Sequence, residues 1–225
     1  MMCHGAKASR QLPFFVMKRA FDIMVSLTGL LVVLPLLPVV AVAIKWDSPG
    51  PIFFKQRRLG RGFRPFFIYK FRTMVEDAPS RGMFITAGRD PRITRVGQFL
   101  RQTKLDELPQ LINVLQGDMS LVGPRPEVPR YVELFREDYK KILQIRPGIT
   151  DLASLQYRDE AAILGQAENP EEEYVKRVLP EKIRLAKDYM DQSSLYFDIM
   201  LIFKTLVKLF ESKNALAKGS IHGYN

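Results

Sequence analysis

The sequence has very few of the side chains that most often form disulfides, bind transition metals or transfer protons. Its 225 residues include one cysteine, Cys3, and two histidines, His4 and His222, all near the ends of the chain. One cysteine cannot build a disulfide framework within a chain, which fits a reducing compartment. The scarcity also excludes a metal site built on cysteines and argues against histidine as the catalytic base.

Acidic residues are scarce in the first half of the chain. Residues 1–105 contain 18 Lys/Arg and 5 Asp/Glu, whereas residues 106–225 contain 16 and 19, and the whole chain carries a net charge of +10. The length suits one domain, and the 47% of hydrophobic residues are enough to build a core. A basic first half indicates nucleic acid, anionic lipid or a phosphorylated small molecule as the partner.

One long segment lacks charge altogether. Residues 23–44 are 22 positions without Asp, Glu, Lys or Arg, and about 20 apolar residues suffice to cross a bilayer as a helix. The segment is longer than the apolar part of a signal peptide, and no small-residue cleavage site follows it. A buried helix of a soluble protein is the alternative interpretation.

Two features argue against a straight transmembrane helix. Pro35 and Pro38 interrupt the segment, and each removes a backbone donor. Basic residues flank it on both sides, with Lys18 before it and Lys45 after it, although positive charge marks only the cytoplasmic side of a span. We therefore predict a re-entrant membrane helix over residues 18–46, kinked at Pro35 and Pro38, with both ends in the cytoplasm.

The remaining sequence predicts a mostly helical α+β fold with a small β-hairpin. Aromatic and basic residues alternate over residues 52–74, with Gly60 and Gly62 in the middle, which is typical of a hairpin. Helices are predicted over residues 96–103, 106–116, 131–145, 171–190 and 194–210, a loop over 121–130 and a turn over 146–150. The last helix is apolar with two lysines on one side, which favours an amphipathic helix at the membrane interface.

These boundaries define the domain organisation of a monotopic membrane protein. The predicted parts are an N-terminal tail (1–17), the re-entrant helix (18–46), a cytoplasmic domain at the membrane interface (47–210) and a C-terminal tail (211–225).

The most distinctive local feature is the pair Asp106-Glu107 at the predicted start of a helix. The positive end of the helix dipole favours the ionised carboxylate that a nucleophile requires, and free amide groups there also bind phosphate. A simpler interpretation is that Asp106 caps the helix and Glu107 is a favourable charge in its first turn. The pair alone does not decide between the two.

Several basic residues are candidates for a phosphate site. Arg125 lies between two prolines and Arg146 precedes one, so each is presented by a backbone with little freedom to lose. A guanidinium group matches phosphate oxygens in a bidentate fork. Lys70, Arg72 and Arg101 are predicted to complete the cationic pocket.

Taken together, these segments resemble one family, the small monotopic phosphoglycosyl transferases of the bacterial sugar transferase family, over residues 17–210. The matching strings are KRAFD (18–22), the proline-broken apolar run, PGPIFFKQRRLG (49–60), IYKFRTM (68–74), LDELPQLINVLQGDMSLVGPRP (105–126) and RPGIT (146–150). Their order and spacing are more specific than any single string.

The resemblance implies a two-step transfer at Asp106, which matches the family nucleophile. It would attack the sugar-bearing phosphate of a UDP-sugar and release UMP, and undecaprenyl phosphate would then take the sugar phosphate from the enzyme. Glu107 matches the partner carboxylate, and Mg²⁺ is the implied cofactor with Asp106 as its ligand. The implied substrate-binding residues are Lys70, Arg72, Arg101, Arg125 and Arg146.

The implied partners are the UDP-sugar, undecaprenyl phosphate and the lipid bilayer at the cytoplasmic face of the bacterial inner membrane, and a homodimer is an allowed state. The step would be the first membrane step of polysaccharide or glycoconjugate assembly. After RPGIT many family members read GWAQVNGR, whereas this chain reads DLASLQYRDE from Asp151, so the sugar is not identified.

Two other functions compete with this enzyme. A membrane scaffold for polysaccharide assembly without catalysis is disfavoured because Asp106, Glu107 and the arginines are all present. A nucleic-acid binder, suggested by charge alone, is disfavoured by the apolar run and by the lack of a recognisable nucleic-acid motif.

Overall fold

The computed structural model describes residues 5–81, 85–157 and 159–219. In chain order, the elements are α1 (Gly5–Val33), α2 (Leu36–Asp47), β1 (Phe53–Leu59), β2 (Pro65–Phe71), α3 (Arg95–Gln102), α4 (Gln110–Gln116), β3 (Ser120–Val122), α5 (Pro129–Leu134), α6 (Arg136–Ile142), β4 (Gly148–Thr150), α7 (Leu152–Gln156), α8 (Glu160–Leu164), α9 (Pro170–Glu173), α10 (Leu179–Gln192) and α11 (Leu195–Gly219). The predicted class, α+β and mostly helical with a small hairpin, is confirmed.

The two ends of the chain are partly helical where tails were predicted. Helix α1 begins within residues 1–17, and α11 continues into residues 211–225. Residues 1–4 and 220–225, which contain the single cysteine and both histidines, lie outside the described residues.

The apolar segment forms two helices that meet at a sharp bend. Helix α1 ends at Val33, Pro35 lies at the break, and α2 leaves at an angle of 62°. Pro38 falls in the first turn of α2, where its missing N–H has no partner to lose. The kink predicted at Pro35 is therefore confirmed, and the kink predicted at Pro38 is wrong because the helix continues through it.

The bent pair exposes a large apolar surface. Among the described helices none is long and apolar enough to cross a bilayer alone, whereas Phe14–Val33 and α2 together satisfy those criteria of length and composition. Leu31, Val32 and Val39 near the bend are 63%, 71% and 64% exposed. Apolar surface of this extent marks an interaction site.

Charged residues at positions 18–22 fasten α1 to the rest of the fold. Lys18 Nζ forms an ion pair with the buried carboxylate of Asp198 in α11 and donates to Val122 O at 3.0 Å. The Tyr189 hydroxyl donates to the other Asp198 oxygen at 2.7 Å. Burial raises the pKa of Asp198, and the charge of Lys18 opposes that rise.

Two further side chains extend this attachment. The Arg19 guanidinium donates to Val114 O at 2.7 Å and Leu115 O at 3.1 Å, so it binds the carbonyl groups at the C-terminal end of α4. Asp22 accepts from Ser120 Oγ at 2.8 Å and from the next backbone amide at 3.2 Å. Lys18, a charge flanking the predicted membrane segment, and the adjacent Arg19 are therefore both bonded inside the protein.

Strands β1 and β2 form the predicted hairpin. They pair antiparallel with Phe53 opposite Phe71, which confirms the hairpin predicted over residues 52–74. The turn between them contains Gly62 at φ 65°, a left-handed conformation that glycine adopts without steric cost.

Helix α4 packs at the centre of the core. Its Val114 is fully buried against Phe66 and Ile68 of β2 and Leu201 of α11. Asn113 joins the edge of β2 through two hydrogen bonds, accepting from the Tyr69 amide at 3.0 Å and donating to Phe67 O at 2.8 Å. The segment just before α4 is therefore attached to a rigid element.

Strands β3 and β4 form a short parallel pair that the sequence did not predict. A Cβ atom on Gly148 would lie 2.1 Å from the Gly123 amide nitrogen, so the close approach requires glycine. A loop was predicted over residues 121–130 and a turn over 146–150, and both predictions are wrong for the paired residues. Three-residue strands leave no alternating pattern to detect.

Three other predicted helices exist in altered form. The helix predicted over residues 131–145 is divided into α5 and α6 at Phe135. The helix over 171–190 consists of α9, a π-helical turn and α10. Helix α11 buries Leu201 on one face and exposes Phe203 on the other, so one face packs into the core and the other is open.

Replacing Gly97 with alanine should destabilise the fold strongly. A Cβ atom at Gly97 in α3 would lie 2.0 Å from the backbone oxygen of Thr73, and backbone cannot move aside as a flexible side chain can. We expect a loss of about 1–3 kcal/mol or more, measured as a lower Tm of the purified protein. The matched control is Gln98→Ala on the exposed side of the same helix, which should leave Tm unchanged. Equal Tm values for the two variants would contradict this packing.

Candidate active site

Asp106 and Glu107 lie in a single 3-10 turn, Leu105–Glu107, and not in the α-helix that was predicted to begin at Asp106. Lys104 before the turn has φ 57°, and α4 begins only at Gln110, after Pro109. Asp106 and Glu107 therefore lie before the first turn of α4, and burial together with the neighbouring charges shifts the pKa of each carboxylate.

Glu107 is held by two cations. It is 8% exposed, and its Oε1 atom accepts from Lys70 Nζ at 2.8 Å and forms an ion pair with Arg125, whose Nη1 lies 3.4 Å from Oε2. Burial alone would raise the pKa of Glu107, but Arg125 and Lys70 hold it well below its usual range. Glu107 is therefore a charged anchor for two basic side chains.

Asp106 differs from its neighbour in having an open oxygen. It is 6% exposed, and Oδ1 is buried without a hydrogen-bond partner among the described residues. Burial raises the pKa of Asp106, the charge of Lys70 opposes the rise and the charge of Glu107 adds to it. No side chain caps α4, so the interpretation of Asp106 as a helix cap is wrong.

The structure brings three of the five predicted cationic residues to this pair. Lys70 and Arg125 bond Glu107 directly, and Glu107 is the main cause of the raised pKa of Arg125. Burial lowers the pKa of Arg101, and the charge of the nearby Asp106 opposes that decrease. Its Nε donates to Thr73 Oγ1 at 2.8 Å. The result is a buried carboxylate surrounded by cations, an arrangement suited to phosphate oxygens.

The structure places Arg72 and Arg146 elsewhere. Arg72 is buried and donates to Ser48 O at 2.6 Å and Ser48 Oγ at 3.0 Å, so it closes the C-terminal end of α2. Arg146 Nε donates to Gly117 O at 2.8 Å, which is just past the far end of α4. Neither is brought to the Asp106-Glu107 pair, and the sequence could not show this because their distances depend on how the hairpin and α4 pack.

The loop that carries Arg125 is supported by residues that the sequence did not identify. Asp151 accepts from the Arg125 amide at 3.1 Å and from the Ser154 amide at 2.6 Å. Glu127 accepts from Arg58 at 3.0 Å and from the Tyr174 hydroxyl at 2.6 Å. Asp151 begins the stretch that departs from the family pattern, and its position before the short helix α7 was a detectable capping signal.

A metal at this site would depend on few protein ligands. Within the described ranges no three His, Cys, Asp or Glu side chains come together as a metal site. Mg²⁺ is often held by one or two carboxylates together with substrate phosphates and waters. Both Glu107 oxygens already bond cations, whereas Asp106 Oδ1 has no partner. Asp106 therefore fits the role of a single Mg²⁺ ligand.

Comparison with known proteins finds several relatives of this chain. The "UDP-glucose:undecaprenyl-phosphate glucose-1-phosphate transferase" of Escherichia coli (strain K12) is 38% identical over 204 residues, which are 89% of this chain and 41% of that protein. The "Exopolysaccharide production protein PSS" of Rhizobium leguminosarum bv. phaseoli is 42% identical over 202 residues, or 85% of this chain and 94% of that protein.

A third relative, the "Putative undecaprenyl-phosphate N-acetylgalactosaminyl 1-phosphate transferase" of Bacillus subtilis (strain 168), is 46% identical over 125 residues, or 56% of this chain and 70% of that protein. The chain spans about two-fifths of the length of some relatives, such as the E. coli protein. The model of the "Bacterial sugar transferase" family matches residues 14–212, which include the hairpin, the carboxylate pair and all three cations beside it. The chain therefore belongs to the bacterial sugar transferase family.

Proposed function

We propose that this chain transfers a sugar 1-phosphate from a UDP-sugar to undecaprenyl phosphate through a covalent intermediate on Asp106. The observation that carries the proposal is the buried Asp106 oxygen without a partner, beside a second carboxylate held by Lys70 and Arg125. The names of the relatives supply the substrate classes. Their activity is extended to this chain as part of the proposal.

In the first step, a carboxylate oxygen of Asp106 forms a bond to the sugar-bearing phosphorus of the UDP-sugar. The bond from that phosphorus to the bridging oxygen breaks, and UMP leaves with the electron pair. In the second step, an oxygen of undecaprenyl phosphate attacks the same phosphorus and restores the free carboxylate. Splitting the transfer in this way replaces one difficult displacement with two.

The surrounding residues bind and orient the phosphates. Arg101 and Arg125 provide guanidinium groups, and Lys70 an ammonium group, for the charge that develops on the diphosphate. Glu107 keeps Lys70 and Arg125 in position. When bound, Mg²⁺ would neutralise part of the diphosphate charge with Asp106 as its ligand.

UMP release tests the proposal directly. Purified protein in lipid nanodiscs is given UDP-glucose, UDP-N-acetylgalactosamine or another UDP-sugar, with and without undecaprenyl phosphate. With the correct donor and no acceptor, we expect at most about one UMP per protein molecule, and continuous release once the acceptor is added. A catalytically inactive scaffold for polysaccharide assembly, the alternative function, would release no UMP with any donor.

The proposed site requires both ends of the bent helix pair on the cytoplasmic face of the bacterial inner membrane, where a soluble donor meets a lipid acceptor. The bend of 62° at Pro35 and the exposed apolar side chains around it support this re-entrant arrangement. Arg10→Cys and Ser48→Cys, each in a Cys3→Ser background, should react with a membrane-impermeant maleimide only after the inner membrane is permeabilised. Labelling of either position from the periplasm would contradict the arrangement.

A further inference from the structure

A second cationic site lies at the opposite end of α4 from Asp106. Arg19 of α1 and Arg146 bond carbonyls at the C-terminal end of this helix. Arg61, in the turn of the hairpin, lines the same pocket together with the rings of Phe14 and Phe15. The seven residues of α4 separate this pocket from the carboxylate pair by about 10 Å of helix. The pocket is therefore distinct from the candidate active site.

The pocket holds more positive than negative charge, because Asp22 is the one carboxylate among its lining residues and its charge only partly opposes those of Arg19 and Arg61 on Arg146. Within the described part of the chain, no carboxylate lies within ion-pair distance of Arg19, Arg61 or Arg146. The nearby Lys18 is paired with Asp198 in α11, and Asp22 accepts from Ser120 and the following amide. Burial lowers the pKa of Arg146, and the charges of Arg19 and Arg61 lower it further. Three guanidinium groups that line one pocket favour the binding of an anion there.

The surroundings of the pocket point to a lipid as the source of that anion. Phe15 lines the pocket and is 42% exposed, and the next residues of α1, Val16 and Met17, are 65% and 57% exposed, so the pocket lies at the start of an exposed apolar stretch of the helix. Helix α1 then continues into the uncharged segment that ends at the bend. Guanidinium groups beside exposed apolar side chains match a lipid, whose phosphate and acyl chains are covalently joined.

We propose that this pocket binds the phosphate of an anionic phospholipid and thereby holds the start of α1 at the bilayer surface. The proposal does not depend on the catalytic one, because it concerns lipid binding alone. The same phosphate chemistry occurs in inorganic phosphate and in undecaprenyl phosphate, so the experiment must separate these three sources.

Lipid retention by the intact protein tests the proposal. The detergent-purified protein is exchanged into mixed micelles that contain phosphatidylglycerol and phosphatidylcholine in equal amounts, and bound lipid is counted by native mass spectrometry. We expect preferential retention of phosphatidylglycerol, reduced about fivefold in Arg61→Gln and more in Arg61→Gln/Arg146→Gln. The matched control, Arg64→Gln, removes one exposed charge from the same hairpin turn outside the pocket and should retain the lipid.

Three results would overturn the proposal. The first is equal retention of the two lipids by the unsubstituted protein, and the second is equal loss of lipid in the Arg61 and Arg64 variants. The third is displacement of phosphatidylglycerol by millimolar inorganic phosphate or by one equivalent of undecaprenyl phosphate, which would assign the pocket to a free anion or to the acceptor. Arg61 has an exposed side chain, so its replacement leaves a folded protein for the comparison.

Discussion

Replacement of Asp106 by asparagine should abolish the labelled sugar-phosphate adduct and reduce UMP release at least about a thousandfold. Asparagine keeps the shape of the side chain but has no carboxylate oxygen to attack phosphorus. The measurement is transfer of radioactivity from a donor labelled at the sugar-bearing phosphate to protein, together with UMP release. The control Asp191→Asn, on the exposed surface of α10, should form adduct normally.

The same replacement should not destabilise the protein. Burial raises the pKa of Asp106, and its Oδ1 has no hydrogen-bond partner, so the ionised carboxylate costs stability at neutral pH. A neutral amide removes that cost, and we expect Tm to stay constant or rise. Loss of the adduct with an unchanged Tm would show that Asp106 acts in the chemical step. A fully labelled Asp106→Asn protein would refute its role as the nucleophile.

Replacement of Glu107 by alanine should, unlike the replacement of Asp106, strongly lower the stability of the protein. Glu107 is buried between Lys70 and Arg125, and removal of one partner from a buried ion pair costs about 3–5 kcal/mol. Unfolding in denaturant at neutral pH measures this loss. Glu133→Ala, which removes an exposed partner of Arg136, is the control and should change stability little.

The stabilisation by Glu107 should also depend on pH. Its pKa in the folded protein lies well below the ordinary value of 4.5, so the contribution is present above pH 4.5 and is lost as pH falls through the lowered pKa. Between neutral and strongly acidic pH, the stability difference between the unsubstituted protein and Glu107→Gln should therefore shrink. A constant difference across that range would mean that Glu107 is not ionised within the fold.

Features encoded by local sequence were predicted well. Pro35 lacks a backbone donor wherever it lies in a helix, so the bend could be predicted from the sequence. The hairpin could be predicted because aromatic and basic residues alternate over residues 52–74, as they do along strands whose two faces differ. Strands β3 and β4 could not be predicted, because each has three residues and its partner is more than 20 positions away.

The arginines show where sequence reasoning reached its limit. Arg125 and Arg146 both adjoin proline, so their sequence context did not distinguish their roles. In the fold, Arg125 bonds Glu107, whereas Arg146 bonds Gly117 beyond the other end of α4. Arg72 closes the end of α2. Which cation reaches the carboxylates is decided by the packing of α4 against the hairpin, and composition and spacing do not contain that information.

The attachment of α1 has a consequence for biosynthesis. Lys18 and its partner Asp198 are 180 positions apart, and a ribosome that adds about 5–20 residues per second makes the aspartate roughly 10–40 s after the lysine. During that interval the ammonium group of Lys18 must be solvated by water or by lipid headgroups. Helix α1 is thus made long before Asp198, so its ion pair with α11 forms only late in synthesis, after its bonds to α4 and β3 have become available.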